Sequence, residues 1–225
     1  MTLKRMSMAA ILLAALVFAL VLTMQSGGGV SPAPEAAAQT AAPAMSEEAR
    51  RIRREIQNDP GAPTVAPKGY DVTVVFFTDY QCPYCRKMHP VLDALMREDP
   101  KVRVVYRDWP IFGADSVNAA KAAMASQYQK KHTAFNAALM QTSGRITPQA
   151  IRSAANRAGV DWNRLQADLK TKAPTINQTL ARTSRFAAMA RLTGTPAVLV
   201  GPYLIPGAVD VATLKEAVAL ARKAN

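Results

Sequence analysis

The sequence predicts an α/β protein: a central four-stranded mixed sheet flanked by helices, with a further helical subdomain inserted between its two halves. Three observations carry this expectation. Two β-branched and aromatic runs, "VTVVFF" (72–77) and "VRVVYRDW" (102–109), bracket one amphipathic helical stretch. An Ala-rich helical block, about 115–193, comes next. Two more apolar runs and a final helix then close the chain.

The elements follow in order. "SEEARRIRREIQ" (46–57) reads as a short surface helix, with Ser46 as N-cap and acidic residues in the first turn. "NDPGAPTVAPKG" breaks all regularity. Val72–Phe77 is continuously apolar, as a strand buried on both faces would be. From Pro83 to about Glu98, Met88, Val91, Leu92, Leu95 and Met96 recur at three-and-four spacing, which makes an amphipathic helix. Val102–Trp109 is the second strand. A strand–helix–strand crossover makes the two strands parallel. In the helical block, Ser116–Lys131 and Ala134–Gln141 are expected helices. Thr147 and Pro148 open another to Arg157, Asp161 caps the next, and Thr175–Leu192 is the last, stopped by Gly194. Pro196–Val200 is a strand, and "YLIPG" (203–207) is a shorter one that Pro206 places at an edge. Asp210 caps a helix over Val211–Lys223. The order β-α-β, helical block, β-β-α is that of a thioredoxin fold, with the block as an insertion at about 115–193.

The chain starts with Lys4 and Arg5, followed by an apolar run of 17 residues, Met8–Met24. That length is short for a spanning helix and long for the core of a signal peptide. The expected domains are a signal peptide or N-terminal membrane anchor over 1–25, an Ala/Pro-rich linker with a short helix over 26–67, and one folded domain over 68–225. Either form of the first segment exports the remainder, since the basic residues stay on the cytoplasmic side. The expected compartment is the periplasm.

Net charge is +12. Residues 1–71 hold 7 basic and 6 acidic side chains, which leaves 21 basic and 10 acidic for residues 72–225. Scattered through helices, these charges read chiefly as solvated faces, and beyond that as an attraction to anionic surfaces or acidic partners. No aromatic-studded basic patch accompanies them, so nucleic acid is set aside.

Cys82 and Cys85 are the only cysteines. A disulfide across two intervening residues removes little chain entropy and is a poor staple. Its use is therefore chemical. Cys82 stands at the start of a helix, where free N–H groups and the helix dipole favour a thiolate, so its pKa should fall well below about 8.5. Cys85, one turn deeper, should be more buried. The expectation is an exposed, attackable Cys82 with Cys85 as its partner. Pro83 suits the first turn. Tyr84 completes the spacer, and Arg86, Lys87 and His89 place positive charge nearby or face water. In a thioredoxin fold the proline opening the strand after the insertion lies opposite the cysteines in cis, and the residue before it holds an extended client. Those positions are Thr195 and Pro196. A metal-binding alternative stays open: Cys82, Cys85 and His89 offer thiolate and imidazole ligands, a set suited to Cu(I).

The blocks "VTVVFFTDYQCPYCRKMHPVL", "VRVVYRDWPIFGADSVNAA" and "TGTPAVLVGPYLIPGAVDVATLKEAV" resemble the DsbA-like thiol-disulfide oxidoreductase family, in particular the subgroup that includes copper-sensitivity suppressor proteins. The resemblance covers about 68–225. It implies a redox-active Cys82–Cys85 disulfide, client binding at Thr195 and cis-Pro196, no cofactor, and a membrane redox partner that resets the pair. Reduced or misoxidised exported proteins are the implied clients, and formation of their disulfides the implied reaction. Two departures bear on direction: Pro83-Tyr84 stands where the strong oxidase of the family has Pro-His, and Thr195 precedes the proline as in its isomerases and reductases. A reductase or isomerase linked to copper stress is the alternative. The 46–57 helix is short for an oligomerisation stalk, so a monomer is expected.

Overall fold

The apolar run at 72–77 is a strand of the computed structural model, which describes residues 46–224. The expected signal or anchor segment and residues 26–45 of the expected linker lie outside the described residues. Strands are β1 (Thr64–Val65), β2 (Val72–Thr78), β3 (Val102–Asp108), β4 (Ala197–Val200) and β5 (Tyr203–Pro206). Helices are α1 (Glu47–Gln57), α2 (Pro83–Glu98), α3 (Ala114–Ser126), α4 (His132–Met140), α5 (Pro148–Arg157), α6 (Trp162–Thr171), α7 (Ala173–Met189) and α8 (Val211–Lys223). Among them no helix is long and apolar enough to cross a membrane.

The sheet order is β1-β3-β2-β4-β5. β2 and β3 run parallel in unbroken register from Val72 opposite Val102 to Thr78 opposite Asp108. β4 lies antiparallel to β2, and β5 to β4. This is the predicted mixed sheet with one correction: five strands, not four. Thr64–Val65 adds an antiparallel edge strand against Val104–Val105 where the sequence signals only irregularity. Two residues carry no readable period, and their pairing is a tertiary event.

Alternation along β2 and β3 sorts the core. Val72, Val74 and Phe76, with Val102, Val104 and Tyr106, face α2, α8 and the helical insertion. Val75, Phe77 and Val105 face α1 and α7. The strands are buried on both faces, as their continuous apolar character predicts. Arg107 sits in this second layer, fully buried. Its guanidinium donates to Asp59 Oδ2 at 2.7 Å and to the Ile56 carbonyl at the end of α1. Arg182 of α7 donates to both Asp59 oxygens at 2.8 Å. These two guanidiniums hold the Asp59 carboxyl down to about 2 against its own burial. A charged triad thus fastens α1 to the sheet, so α1 is more than a surface helix.

Local chemistry sets most helix ends. The side chains of Ser46, Thr147, Asp161 and Asp210 each accept from the N–H three residues on. Two boundaries correct the sequence reading. The helix expected over Ser116–Lys131 starts at Ala114 and tightens into a 3₁₀ turn at Gln127–Gln129. Gly194 does not stop α7: the helix ends at Met189 because Arg191 turns left-handed (φ 53°), with Leu192 N–H bonded to Ala187 O and Arg191 N–H to Ala188 O.

β5 is an edge, as Pro206 predicts. Gly207 N–H donates to Pro196 O at 2.8 Å, so the alternation of antiparallel pairs turns Tyr203 and Ile205 inward. Leu204 and Pro206 face outward, and of these two only Leu204 has an N–H.

Candidate active site

β2 ends at Thr78, and a four-residue turn delivers the chain to α2 with Cys82 as N-cap residue (φ −73°, ψ 118°). Pro83 occupies the first helical position, where no intrahelical donor is missed. Cys85 lies one turn in, fully buried. From the far end of the sequence, the Thr195–Pro196 peptide, which is cis, crosses over this helix start. Cys82 Sγ lies 3.2 Å from the Thr195 carbonyl oxygen, to which the thiol donates when it is protonated. The structure thereby brings Cys82, Pro83, Tyr84, Cys85, Thr195 and Pro196 together.

Cys82 itself is only 2% exposed, which corrects the expectation of an open sulfur. The cause is the 195–196 segment lying over it. Tyr84 is the exposed member of the motif. The far side of the Thr195–Pro196 segment borders open space. There a cavity of about 460 Å³ is lined by Arg191, Leu192, Thr195, Pro196, Leu204 and Pro206 among others. A larger cavity, about 660 Å³, lies against Asp59 and Arg182 instead.

The sulfurs divide as their places dictate. The Cys85 thiol beside it is the main cause that brings the Cys82 pKa down to about 6. Burial opposes this, while Thr195 and the N–H groups of Cys85 and Tyr84 in the first turn add to it. Burial pushes the Cys85 thiol far up, and Cys82 reinforces that. At neutral pH the pair shares one proton, held on Cys85.

The neighbouring charges meet the sequence expectation in part. Arg86 is half-buried and close enough to Cys82 for their charges to act on each other, while its Nε donates to Tyr80 O at 2.9 Å and Nη1 to Gly144 O at 2.7 Å. Gln81 Oε1 accepts from Ile146 N–H at 2.7 Å, so the loop before α5 is tied to the cysteine turn twice. Lys87 Nζ lies 5.4 Å from the centre of the Tyr84 ring. His89 is buried, its Nε2 is 3.4 Å from Asp93 Oδ2, and burial pushes its pKa down. Among the described residues no three His, Cys, Asp or Glu side chains gather as a metal site.

Asp79 escaped the sequence reading. Its carboxylate accepts from Gln81 N–H (2.7 Å), Ile111 N–H (2.7 Å), Phe112 N–H (3.1 Å) and Ser116 Oγ (2.7 Å), while its own N–H lies 3.5 Å from Cys85 Sγ. One carboxylate thus fixes the cysteine turn, the loop after β3 and the start of α3. The only local signal is an Asp two residues before Gln81, the spacing of an Asx turn. Asp108 at the end of β3 was missed too. It is 3% exposed, and burial pushes its pKa up to about 7, with the Asp79 charge adding and Tyr80 opposing.

Residues 73–219 match the family model of the DSBA-like thioredoxin domain. A thioredoxin-like oxidoreductase from Silicibacter pomeroyi DSS-3 is 41% identical, with a TM-score of 0.73, and the likeness covers 77% of this chain and 99% of that one. A periplasmic thioredoxin-like protein from Salmonella enterica serovar Typhimurium is 30% identical over 77% of this chain and 97% of its own, with a TM-score of 0.67. The catalytic domain of Proteus mirabilis ScsC is 25% identical over 78% and 98%, also with a TM-score of 0.67. Among curated proteins, the Na(+)/H(+) antiporter NhaA 1 of Salinispora arenicola is 26% identical over 154 residues. That match takes in 68% of this chain but only 23% of that relative's length.

Proposed function

This chain belongs to the family of DSBA-like thioredoxin domains, and on that premise we propose that it is an exported thiol-disulfide oxidoreductase that forms disulfides in other exported proteins. Cys82 is the attacked and leaving sulfur, Cys85 its buried partner, and Thr195 with Pro196 the seat of the client backbone. The observation that carries this reading is the Cys82 sulfur at a helix start, 3.2 Å from Thr195 O, with Cys85 one turn behind. A client thiolate attacks Cys82 of the oxidised pair, a mixed disulfide forms, and a second client thiol resolves it; the client leaves oxidised and the pair leaves as a dithiol. A membrane redox partner then reoxidises the pair. The basic start and apolar run at 4–24 support export, as does the printed description of the Salmonella relative as periplasmic. The domain runs over 68–225, its insertion over about 115–193, and the protein acts as a monomer.

The test is capture. A Cys85→Ala variant expressed with its signal should hold clients on Cys82 as mixed disulfides, and a Cys82→Ala variant should hold none. Equal yields from both would overturn the assignment. The opposite direction, a reductase or isomerase, is favoured by Tyr84 in the spacer and Thr195 before the proline. A measured potential separates the two: near about −120 mV for an oxidase, near about −270 mV for a reductase.

A further inference from the structure

The charge of the folded domain is not spread evenly. Residues 115–193 carry 12 basic and 3 acidic side chains, for +9, while the rest of 72–225 carries 9 and 7, for +2. A surface that charge merely keeps in solution mixes the two signs, whereas a lobe of one sign projects a field. The three acidic groups of the insertion cancel little of it. Asp115 pairs with Arg145 at 3.3 Å, Asp168 Oδ2 lies 3.8 Å from Arg164 Nε, and Asp161 caps α6. Arg182 is taken by Asp59. Among the described residues no ion pair takes Lys121, Lys130, Arg152, Lys170 or Lys172.

These cations gather around α6, which packs on α3, α5 and α7. The helical period puts Leu165 on its buried side and leaves Asn163, Ala167 and Lys170 exposed. On one flank, the Arg164 guanidinium donates to Tyr128 O at 2.8 Å, and Lys172 Nζ, just past the helix end, lies 5.5 Å from the centre of the Tyr128 ring. Lys130 and Lys131 follow directly after the 3₁₀ turn that holds this tyrosine. The Gln129 side chain exchanges two hydrogen bonds with the Asp161 backbone, at 3.0 and 2.9 Å, which fixes that turn against the start of α6. On the other flank, Trp162 opens the helix with the Arg152 guanidinium 5.5 Å from its ring. Trp162, Ile151 and Leu169 line a recess of about 270 Å³ that Lys121 lines as well. The face therefore combines unpaired cations, two aromatic rings each beside a cation, and an apolar recess.

We propose that this face of the insertion docks on the anionic lipid surface of the membrane, its cations on the lipid phosphates and its two rings at the level of the headgroups. Lysine and arginine beside tryptophan and tyrosine are the side chains that settle at such a boundary, and anionic headgroups supply the complementary charge. An acidic polypeptide would meet the cations too, but the recess and the rings among them favour an amphiphile. The rest of the chain points the same way. The apolar run ends at Met24 and α1 begins at Glu47. Residues 25–45 are 21 in number, and 21 residues reach at most about 75 Å. With that run as an anchor, the domain stays beside the bilayer and needs only to turn this face towards it. The inference rests on the export proposed above, not on the exchange chemistry or its direction, and none of these residues belongs to the cysteine site. Docked this way, the domain works next to the membrane redox partner proposed for it.

The test uses the full chain carrying Trp109→Phe, which leaves Trp162, on the face itself, as its one tryptophan. The probes are vesicles of brominated phosphatidylcholine, alone or mixed with brominated phosphatidylglycerol. Trp162 emission should be quenched on the anionic vesicles only, and should recover in about 0.5 M salt, where screening acts within a few ångström. Lys130→Gln, Lys170→Gln and Lys172→Gln together should lower the ratio of docked to undocked protein about 100-fold, about fivefold for each charge. Lys68→Gln, Lys101→Gln and Lys223→Gln remove three exposed charges outside the insertion and should leave the quenching in place. Equal losses from the two triple variants would overturn the face and leave overall charge as the cause. Quenching on both kinds of vesicle, on neither, or undiminished by salt would overturn lipid docking. An emission change with oligoglutamate and none with vesicles would assign the face to an acidic polypeptide instead. Uptake of a peptide thiol by Cys82 should be the same in every variant. Its absence from all of them, wild type included, would sink the exchange reading and leave the quenching result standing.

Discussion

Replacing Cys85 by alanine isolates the cause of Cys82 acidity. The Cys85 thiol is the largest of the influences that bring Cys82 down to about 6. At that value about nine-tenths of Cys82 is thiolate at pH 7, against about 3% for a thiol at the ordinary value of about 8.5. Without the Cys85 donor, Thr195 and the N–H groups of the first turn remain. The midpoint should then rise by at least about one pH unit, which is about 1.4 kcal/mol. The sign follows from the direction of the shift. A folded-state pKa below the unfolded one stabilises the reduced protein fully above pH 8.5 and loses that contribution as pH falls through about 6. At pH 7 the contribution is about 1.4 kcal/mol, or about 30 mV toward a more oxidising pair. The assay is thiolate absorbance at 240 nm from pH 3 to 10, with alkylation rates as a second reading. A variant midpoint equal to the wild-type one would refute the role given to Cys85. A wild-type midpoint above pH 8 would refute the whole electrostatic reading of the helix start.

Other outcomes follow from the same structure. Asp108 carries a folded pKa above its unfolded one, so its contribution is complete below about pH 4 and is lost as pH rises through about 7. Urea unfolding from pH 4 to 8 should show Asp108→Asn gaining on the wild type by up to about 4 kcal/mol over that range. Arg107→Leu leaves a buried Asp59 with one of its two guanidinium partners and strips the donor from the Ile56 carbonyl; a loss of about 3–5 kcal/mol is expected in denaturant unfolding. Gly201 has φ +53°, and a Cβ there would stand 2.7 Å from the Ala221 Cβ. Gly201→Ala should cost about 1–3 kcal/mol by the same measurement. Asp210→Ala removes the cap of α8, with about 1 kcal/mol lost.

What the sequence discloses divides along the range of the forces involved. β2, α2 and β3 are legible because apolar spacing states which face is buried, and Ser46, Thr147, Asp161 and Asp210 because a cap bonds three residues away. The cysteine pair is legible for the same reason: helix start and motif are contiguous. Cover over Cys82 is not, since it comes from a segment 113 residues on. Nor is the burial of Arg107, whose "VRVVYRD" context reads as strand while its counter-ion lies 48 positions earlier. Arg191 in place of Gly194 shows the limit of residue preference: a left-handed turn favours glycine, and here an exposed arginine takes it within the Leu192–Ala187 and Arg191–Ala188 backbone bonds. Asp79 and Asp108 were invisible as functional residues because single acidic side chains at strand ends are common, and only burial distinguishes these two.

The outer rim of the sheet at β5 bears on the work proposed for this protein. Chains that arrive unfolded carry naked strands searching for a border to join. Within Tyr203–Pro206 that border offers a lone outward amide, at Leu204, with a proline after it that can offer none. A strand trying to zip along it finds a donor and an acceptor at Leu204 but only an acceptor at Pro206. Under the proposed function, a client held at the sulfurs would meet little along this edge to zip onto.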